Sequence, residues 1–174
     1  WCGGAGEALL TPRVEVDGRP VDMANARWRR HDRWIPAFTV PLEDGGTLTG
    51  TVCAPAGYPA ARGFLVRFDV ESKARRPVAV TVSLDVAWHA TRLWIATLRP
   101  LPGTNRLEQA ATGTLVLETD AGRGPALAIA ATHPPDITVD AAADGVLRAR
   151  MVQRFSATPQ RRATACWFVG AGRE

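Results

Sequence analysis

The stretch that decides the fold runs Gly63-Phe-Leu-Val-Arg-Phe-Asp-Val-Glu71 and, after Ser72-Lys-Ala-Arg-Arg-Pro77, continues Val78-Ala-Val-Thr-Val-Ser-Leu-Asp-Val-Ala-Trp88. In its first half Phe64, Val66, Phe68 and Val70 alternate with Leu65, Arg67, Asp69 and Glu71. In its second, Val78, Val80, Val82, Leu84, Val86 and Trp88 alternate with Ala79, Thr81, Ser83, Asp85 and Ala87. Successive side chains of a strand point to opposite faces, so this period of two marks strands with one face buried. The polar link ending in Pro77 reads as a turn, and the two halves as an antiparallel hairpin laid on a core. Burial is expected for Phe64, Val66, Phe68, Val70, Val80, Val82, Leu84 and Val86.

The same pattern extends in both directions. Trp34 to Leu42, the turn Glu43-Asp-Gly-Gly46 and Thr47 to Cys53 read as a second hairpin. Pro36 and Pro41 lack backbone donors, which places the Trp34 strand at a sheet edge or on a bulge. Further strands are expected at 13–16, 92–99, 113–119, 126–131, 137–140, 146–155 and 163–169, separated by Gly- and Pro-rich turns. Short helical turns are expected at 23–30 and 106–111, too short to organise a fold. About ten short strands without helical periodicity predict an all-β, antiparallel two-sheet β-sandwich. A closed β-barrel is the runner-up, because it satisfies the same alternation. The 174 residues show no repeat or low-complexity linker and suit one β-sandwich domain.

Hydrophobic content of 46% with 22% charged residues is globular composition. The net charge of +4 comes from short knots, Arg27-Trp-Arg-Arg30, Lys73-Ala-Arg-Arg76 and Arg161-Arg162, with no long basic tract. We read these as solvated loops and strand ends, and expect no nucleic-acid partner. No apolar run approaches the ~20 residues of a helical membrane span, and no membrane partner is expected. The chain opens at Trp1 without Met and without the charged and apolar regions of a secretory signal, which leads us to expect a domain excised from a longer chain. Cys2, Cys53 and Cys166 form no C-x-x-C pair. Cys53 is expected as a buried reduced thiol, with a Cys2–Cys166 bridge the less favoured alternative.

Residues able to do chemistry are few. Nucleophilic catalysis needs a Ser, Thr or Cys beside an oriented base, and no G-x-S-x-G elbow is present. His31, His89 and His133 are the only imidazoles, far apart and without metal-ligand spacing, so neither a metal nor another cofactor is expected. Asp69, Glu71 and Asp85 point outward and would approach one another if the central segments paired as a hairpin, but outward charges on strands ordinarily serve solubility. No catalytic residue is assigned. The six Trp in a chain with one Tyr are the feature most open to a functional reading, since exposed Trp faces stack on sugar rings. Trp34, Trp88 and Trp167 fall on core phases. Trp28, flanked by arginines that can shield it, and Trp94, on the phase of Arg92, are the candidate carbohydrate-binding residues.

Taken together, Trp34-Ile-Pro-Ala-Phe-Thr-Val-Pro-Leu-Glu-Asp-Gly-Gly46, Gly63-Phe-Leu-Val-Arg-Phe68, the strand ending Trp88-His-Ala-Thr91, and Pro100-Leu-Pro-Gly-Thr-Asn105 resemble the N-terminal β-sandwich of bacterial glycoside hydrolases. The similarity is to those with an (α/α)6 catalytic barrel, the glycogen-debranching and glucoamylase-like enzymes. It implies a sandwich that packs against a helical barrel carrying the catalytic acids. This chain would then be a non-catalytic accessory domain whose partner is a neighbouring catalytic domain of the same parent chain. The alternative is a stand-alone carbohydrate-binding module holding an oligosaccharide on Trp28 or Trp94. A small-ligand barrel or independent enzyme would need a polar cavity that the strand faces do not advertise. If a domain partner exists, the loops around Trp28 to Trp34 and Pro100 to Arg106 are the expected contact, because their Trp, Leu and Pro content exceeds what solvated loops need.

Overall fold

The computed structural model describes residues 8–32, 34–54, 62–88, 91–94, 97–100, 105–109, 113–119, 126–141 and 146–172; at 91–94, 97–100, 105–109, 119 and 141 it describes the backbone alone. The described chain opens with β1 (Leu10–Val16), β2 (Arg19–Pro20), a 3-10 turn (Met23–Asn25), β3 (Arg27–His31), β4 (Ile35–Pro41), β5 (Thr47–Cys53), β6 (Gly63–Glu71) and β7 (Val78–Trp88). It continues with β8 (Thr91–Trp94), β9 (Thr97–Pro100), β10 (Asn105–Gln109), β11 (Leu115–Thr119), β12 (Ala126–Ala131), β13 (Asp136–Ala141), β14 (Leu147–Ala157) and β15 (Ala163–Gly172).

A five-stranded sheet, β13-β14-β7-β1-β2, faces an eight-stranded sheet, β10-β11-β12-β15-β6-β5-β4-β3, and β8-β9 form a separate hairpin. Among the described residues all pairings are antiparallel and the end strands of the two sheets do not join, so the fold is a β-sandwich and not a barrel. The inner faces meet in one core. Val14, Val80, Val82, Leu84, Val86, Trp88 and Met151 come from the smaller sheet, and Val40, Leu48, Phe68, Val70, Leu117, Ile129 and Trp167 from the larger. Burying each of the large side chains contributes about 1.5–3 kcal/mol, which sets the two sheets against one another.

The central segments do not form a hairpin. β6 pairs with β5 and β15, whereas β7 pairs with β1 and β14, so the two strands lie in opposite sheets and face each other across the core. Period-two alternation demands one buried face from each strand, and strands in facing sheets meet that demand as well as paired ones. Of the eight side chains expected inside, six are buried; Phe64 and Val66 are half-buried at one end of the core. Other departures are local. The 23–30 segment holds one 3-10 turn and then strand β3, 106–111 overlaps strand β10, and 92–99 is split between β8 and β9. The proline-bearing β4 is not an edge: β3 pairs along it as Arg30↔Pro36 and is itself the edge strand.

One connection is clasped by a half-buried carboxylate. Asp44, in the β4–β5 turn, accepts from Gly46 N at 2.8 Å, Ser72 Oγ at 2.5 Å, Lys73 N at 3.1 Å and Ala74 N at 3.2 Å. It thereby ties that turn to the segment by which the chain crosses from one sheet to the other. Partial burial pushes the carboxyl's pKa up, but these four donors outweigh it and hold the group below the ordinary aspartate value of 3.8. A carboxyl depressed in the folded state contributes stability that is present above 3.8 and is lost as pH falls through its folded pKa. Asp44→Asn should therefore lower the melting temperature at pH 7 and flatten the fall of melting temperature below pH 3.8, measured by circular dichroism beside the unaltered chain. A mutant curve parallel to that of the unaltered chain would show that the clasp is not ionic.

Candidate functional site

The two outer faces of the sandwich differ in chemistry. On the smaller sheet, Asp85 accepts from Arg13 at 2.8 Å and lies 3.4 Å from Arg150, whose Nη2 reaches Ser83 Oγ at 3.3 Å, and Arg154 pairs with Asp136. Such alternating charges suit a face turned to water. On the larger sheet, Thr39, Thr47, Thr49, Thr51 and Thr164 share the outer face with Arg67 and Asp69, whose bidentate pair at 2.7 and 2.9 Å is completed by Thr164 Oγ1 donating to Asp69 at 2.6 Å. Beside this polar band runs an apolar row: the register sets Cys53 against Leu65, Leu65 against Phe168 and Phe168 against Ala130. Phe168 is 47% exposed, and Trp34, at the entry to β4, is 60% exposed.

A second feature opens at the edge where the smaller sheet stops short of β3 and β4. Between the inner faces lies an apolar cleft of about 420 Å³, walled by Leu10, Pro12, Phe38, Phe64, Val66 and Trp167, with Trp28 also in its lining. An aromatic series runs inward: the Trp28 and Phe38 centroids are 5.1 Å apart with planes at 54°, and Phe38 meets Phe68 edge-on at 6.3 Å. Gly50, paired with Phe38 on the neighbouring strand, makes room for this ring; a Cβ there would fall 2.2 Å from Phe38 Cζ. Trp167 is 1% exposed and its Nε1 has no hydrogen-bond partner. At the β1–β2 end a larger, polar groove of about 710 Å³ has its carboxylates already engaged. Asp17 accepts from Arg76 and Ala79 N, and Glu43 pairs with Arg19 at 2.8 Å.

The structure sorts the sequence candidates. Trp28 is 67% exposed on the all-exposed strand β3. Arg27 and Arg29 take the opposite face of β3 by alternation, so they do not cover the indole. Trp94 lies on β8 opposite Thr97, with its side chain outside the described residues. Trp88 and Trp167 are core, each 1% exposed, but Trp34 is not, because the strand begins at Ile35 and the chain has left the sheet before it. Asp69 and Glu71 stand on the larger sheet and Asp85 on the smaller, so Asp85 does not converge with the other two. His133 packs edge-on to Phe155 at 5.5 Å while its carbonyl accepts from buried Gln153 at 2.6 Å, a structural role. His31 sits 3.3 Å from Asp32 in solvent, and His89 and residues 101–104 lie outside the described residues. Cys53 is half-buried and Cys166 buried, both free thiols; burial pushes the Cys166 thiol's pKa up against the opposing pull of Arg67, so it is held protonated. Cys2 lies outside the described residues. Among the described residues no group of His, Cys, Asp and Glu could hold a metal ion, and no helix is long and apolar enough to cross a membrane.

No protein-family model matches the chain, and no curated protein matches it in sequence. Solved structures do match in fold. An Escherichia coli K12 protein described as an aldose 1-epimerase superposes with a TM-score of 0.58 at 11% identity, over 97% of this chain and 85% of that one. A protein of the human microbiome described as a kojibiose phosphorylase gives 0.58 at 7% identity, over 92% of this chain and 21% of that one. The heparan sulfate lyase HepC of Pedobacter heparinus gives 0.55 at 13% identity, over 92% and 24%. The fold is thus one that occurs in carbohydrate-active enzymes, spanning most of one neighbour and about a quarter or less of the other two.

Proposed function

We propose that this chain is an accessory β-sandwich of a carbohydrate-active enzyme, packing through the outer face of its larger sheet against a separate catalytic domain. The observation that carries the reading is the contrast between the two outer faces: one is a lattice of ion pairs, the other presents Phe168 at 47% exposure within an apolar row. A half-exposed Phe in a row of apolar neighbours is an interaction surface, since scattered single apolar residues are ordinary but contiguous ones are not. The two larger neighbours support the reading, because in each of them a like sandwich accounts for under a quarter of the chain. The glucoamylase-like arrangement suggested by sequence, with a helical barrel as the partner, is the specific form we favour.

The same reading assigns catalysis to the partner. Asp85 stands on the opposite sheet from Asp69 and Glu71, and Asp69 is committed to Arg67 and Thr164. We expect no turnover of α-glucans or aryl glycosides by the purified chain. Turnover that survives purification and vanishes on Asp69→Asn or Glu71→Gln would place chemistry here and overturn the assignment.

A stand-alone sugar-binding role is favoured by one observation, the 67% exposure of Trp28. Its neighbours argue against a platform: Phe38 is tilted by 54° instead of lying coplanar, and the cleft beneath is lined by apolar side chains, where a sugar needs convergent hydrogen-bonding groups. Titration of malto-, gluco- and uronate-containing oligosaccharides should leave Trp fluorescence unchanged. Saturable quenching abolished by Trp28→Ala would instead establish the sugar-binding role.

A further inference from the structure

We propose that strand β3, the free edge of the larger sheet, takes up an extended segment of a partner polypeptide in which acidic and apolar residues alternate, adding it as a further strand. This inference does not rest on the docking reading, because β6, β5 and β4 separate β3 from the strand that carries Phe168. Its grounds are an open edge and unanswered charge. β3 pairs with β4 in unbroken register from Arg27↔Thr39 to His31↔Ile35 and stands last in its sheet, with all 5 of its residues exposed. In a strand paired on one side only, alternate residues turn their backbone N–H and C=O outward, where another strand can bond to them. Edges are ordinarily blunted by shortness, proline or a bulge. β2, at an end of the smaller sheet, follows that rule: it is 2 residues long, contains Pro20 and ties Arg19 to Glu43. β3 has neither proline nor bulge.

The charge selects the occupant. Arg27, Arg29 and Arg30 have no ion pair or side-chain hydrogen bond among the described residues, whereas Arg13, Arg67, Arg76 and Arg154 each hold a carboxylate. Alternation puts Arg27 and Arg29 on one face, about 7 Å apart along the strand, and Trp28 on the other. An incoming strand with an acid at every second position sets carboxylates against that arginine pair and apolar side chains beside Trp28. A second copy of this chain does not fit. Its β3 would bring arginines onto arginines, and like charges opposed across a ladder are destabilising.

The probe is an acetylated, amidated peptide alternating Glu and Val over about seven residues, the length of an ordinary strand. Its comparators are the Lys-Val counterpart and the same Glu-Val peptide N-methylated at two adjacent central residues, which blocks both of its edges. The Glu-Val peptide should bind saturably, about tenfold more tightly than either comparator, and slow hydrogen exchange along β3. Replacing both exposed arginines, Arg27→Glu with Arg29→Glu, should turn the preference to the Lys-Val peptide while the melting curve stays in place. Equal binding of the methylated peptide would show that the arginines merely collect anions, and would overturn the proposal. So would an absence of saturable binding, a preference for Glu-Val that survives the double substitution, or a heparin hexasaccharide that binds at β3 more tightly than the peptide, which would assign the arginines to an anionic glycan.

Discussion

Val82→Asp is expected to leave the chain without a cooperative unfolding transition. Val82 lies mid-strand in β7, 1% exposed, between Val14 of β1 and Gln153 of β14, with the inner face of the larger sheet above it. An aspartate there would be an unpaired charge in the core. The penalty is several kcal/mol, comparable with the ~5–15 kcal/mol by which whole domains are stable. The neighbouring Thr81→Asp is the control, because Thr81 points to the charged outer face and most surface substitutions stay within about 0.5 kcal/mol. Circular dichroism melting of both variants reads the result. If Val82→Asp melts normally and Thr81→Asp does not fold, the faces of β7 have been assigned backwards.

Phe68→Ala should be nearly as damaging while still permitting folding. Phe68 is 2% exposed, sits on the β6 inner face and meets Phe38 edge-on, so its removal leaves a cavity and breaks the aromatic series. Large aromatic-to-alanine changes in cores cost about 3–5 kcal/mol. In a chain of this size that corresponds to a fall in melting temperature of roughly 10 °C. Urea denaturation should show a lower midpoint with an unchanged slope, the mark of lost stability without a change in the surface exposed on unfolding. Trp28→Ala, at the exposed end of the same series, should shift the midpoint far less. Equal losses from the two would mean that Trp28 is held by contacts its 67% exposure does not reveal.

The elements were legible in the sequence wherever one face of a strand is buried. β5, β6, β7, β12 and β14 carry a clean alternation because water lies on one side and the core on the other. Partnership between strands was not legible. The link from 72 to 77 could have closed a hairpin, and only the clasp of Asp44 on Ser72 and the backbone of 73–74, a contact between distant segments, shows how the chain crosses between sheets. β3 was hidden for a different reason: with all five residues exposed and three of them Arg, it has no buried face to create a pattern. Trp34 misled because the phase of Phe38 and Val40 was carried back past the point where the strand begins.

The candidate surfaces divide in the same way. The exposure of Trp28 could be read from its charged neighbours, but the cleft below it is assembled from residues of β1, β4, β5, β6, β7 and β15 and has no local signature. Phe168 lay in a run, Ala165 to Val169, that reads as a core strand on both faces. The structure shows one face of that run in the core and the other turned outward, with Trp167 1% and Phe168 47% exposed. A strand apolar on both sides is the sequence signature of a sheet covered on both sides, which is what the docking proposal requires.

Hydroxyl-radical footprinting of the chain alone and of the complete product of its gene tests that proposal most directly, because it reads side-chain accessibility residue by residue. Phe168 and Leu65 should be oxidised readily in the isolated chain and several-fold more slowly in the complete product, while residues on the ion-paired face of the smaller sheet react equally in both. Equal oxidation of Phe168 and Leu65 in the two samples would show that nothing covers this face, and would contradict the accessory role.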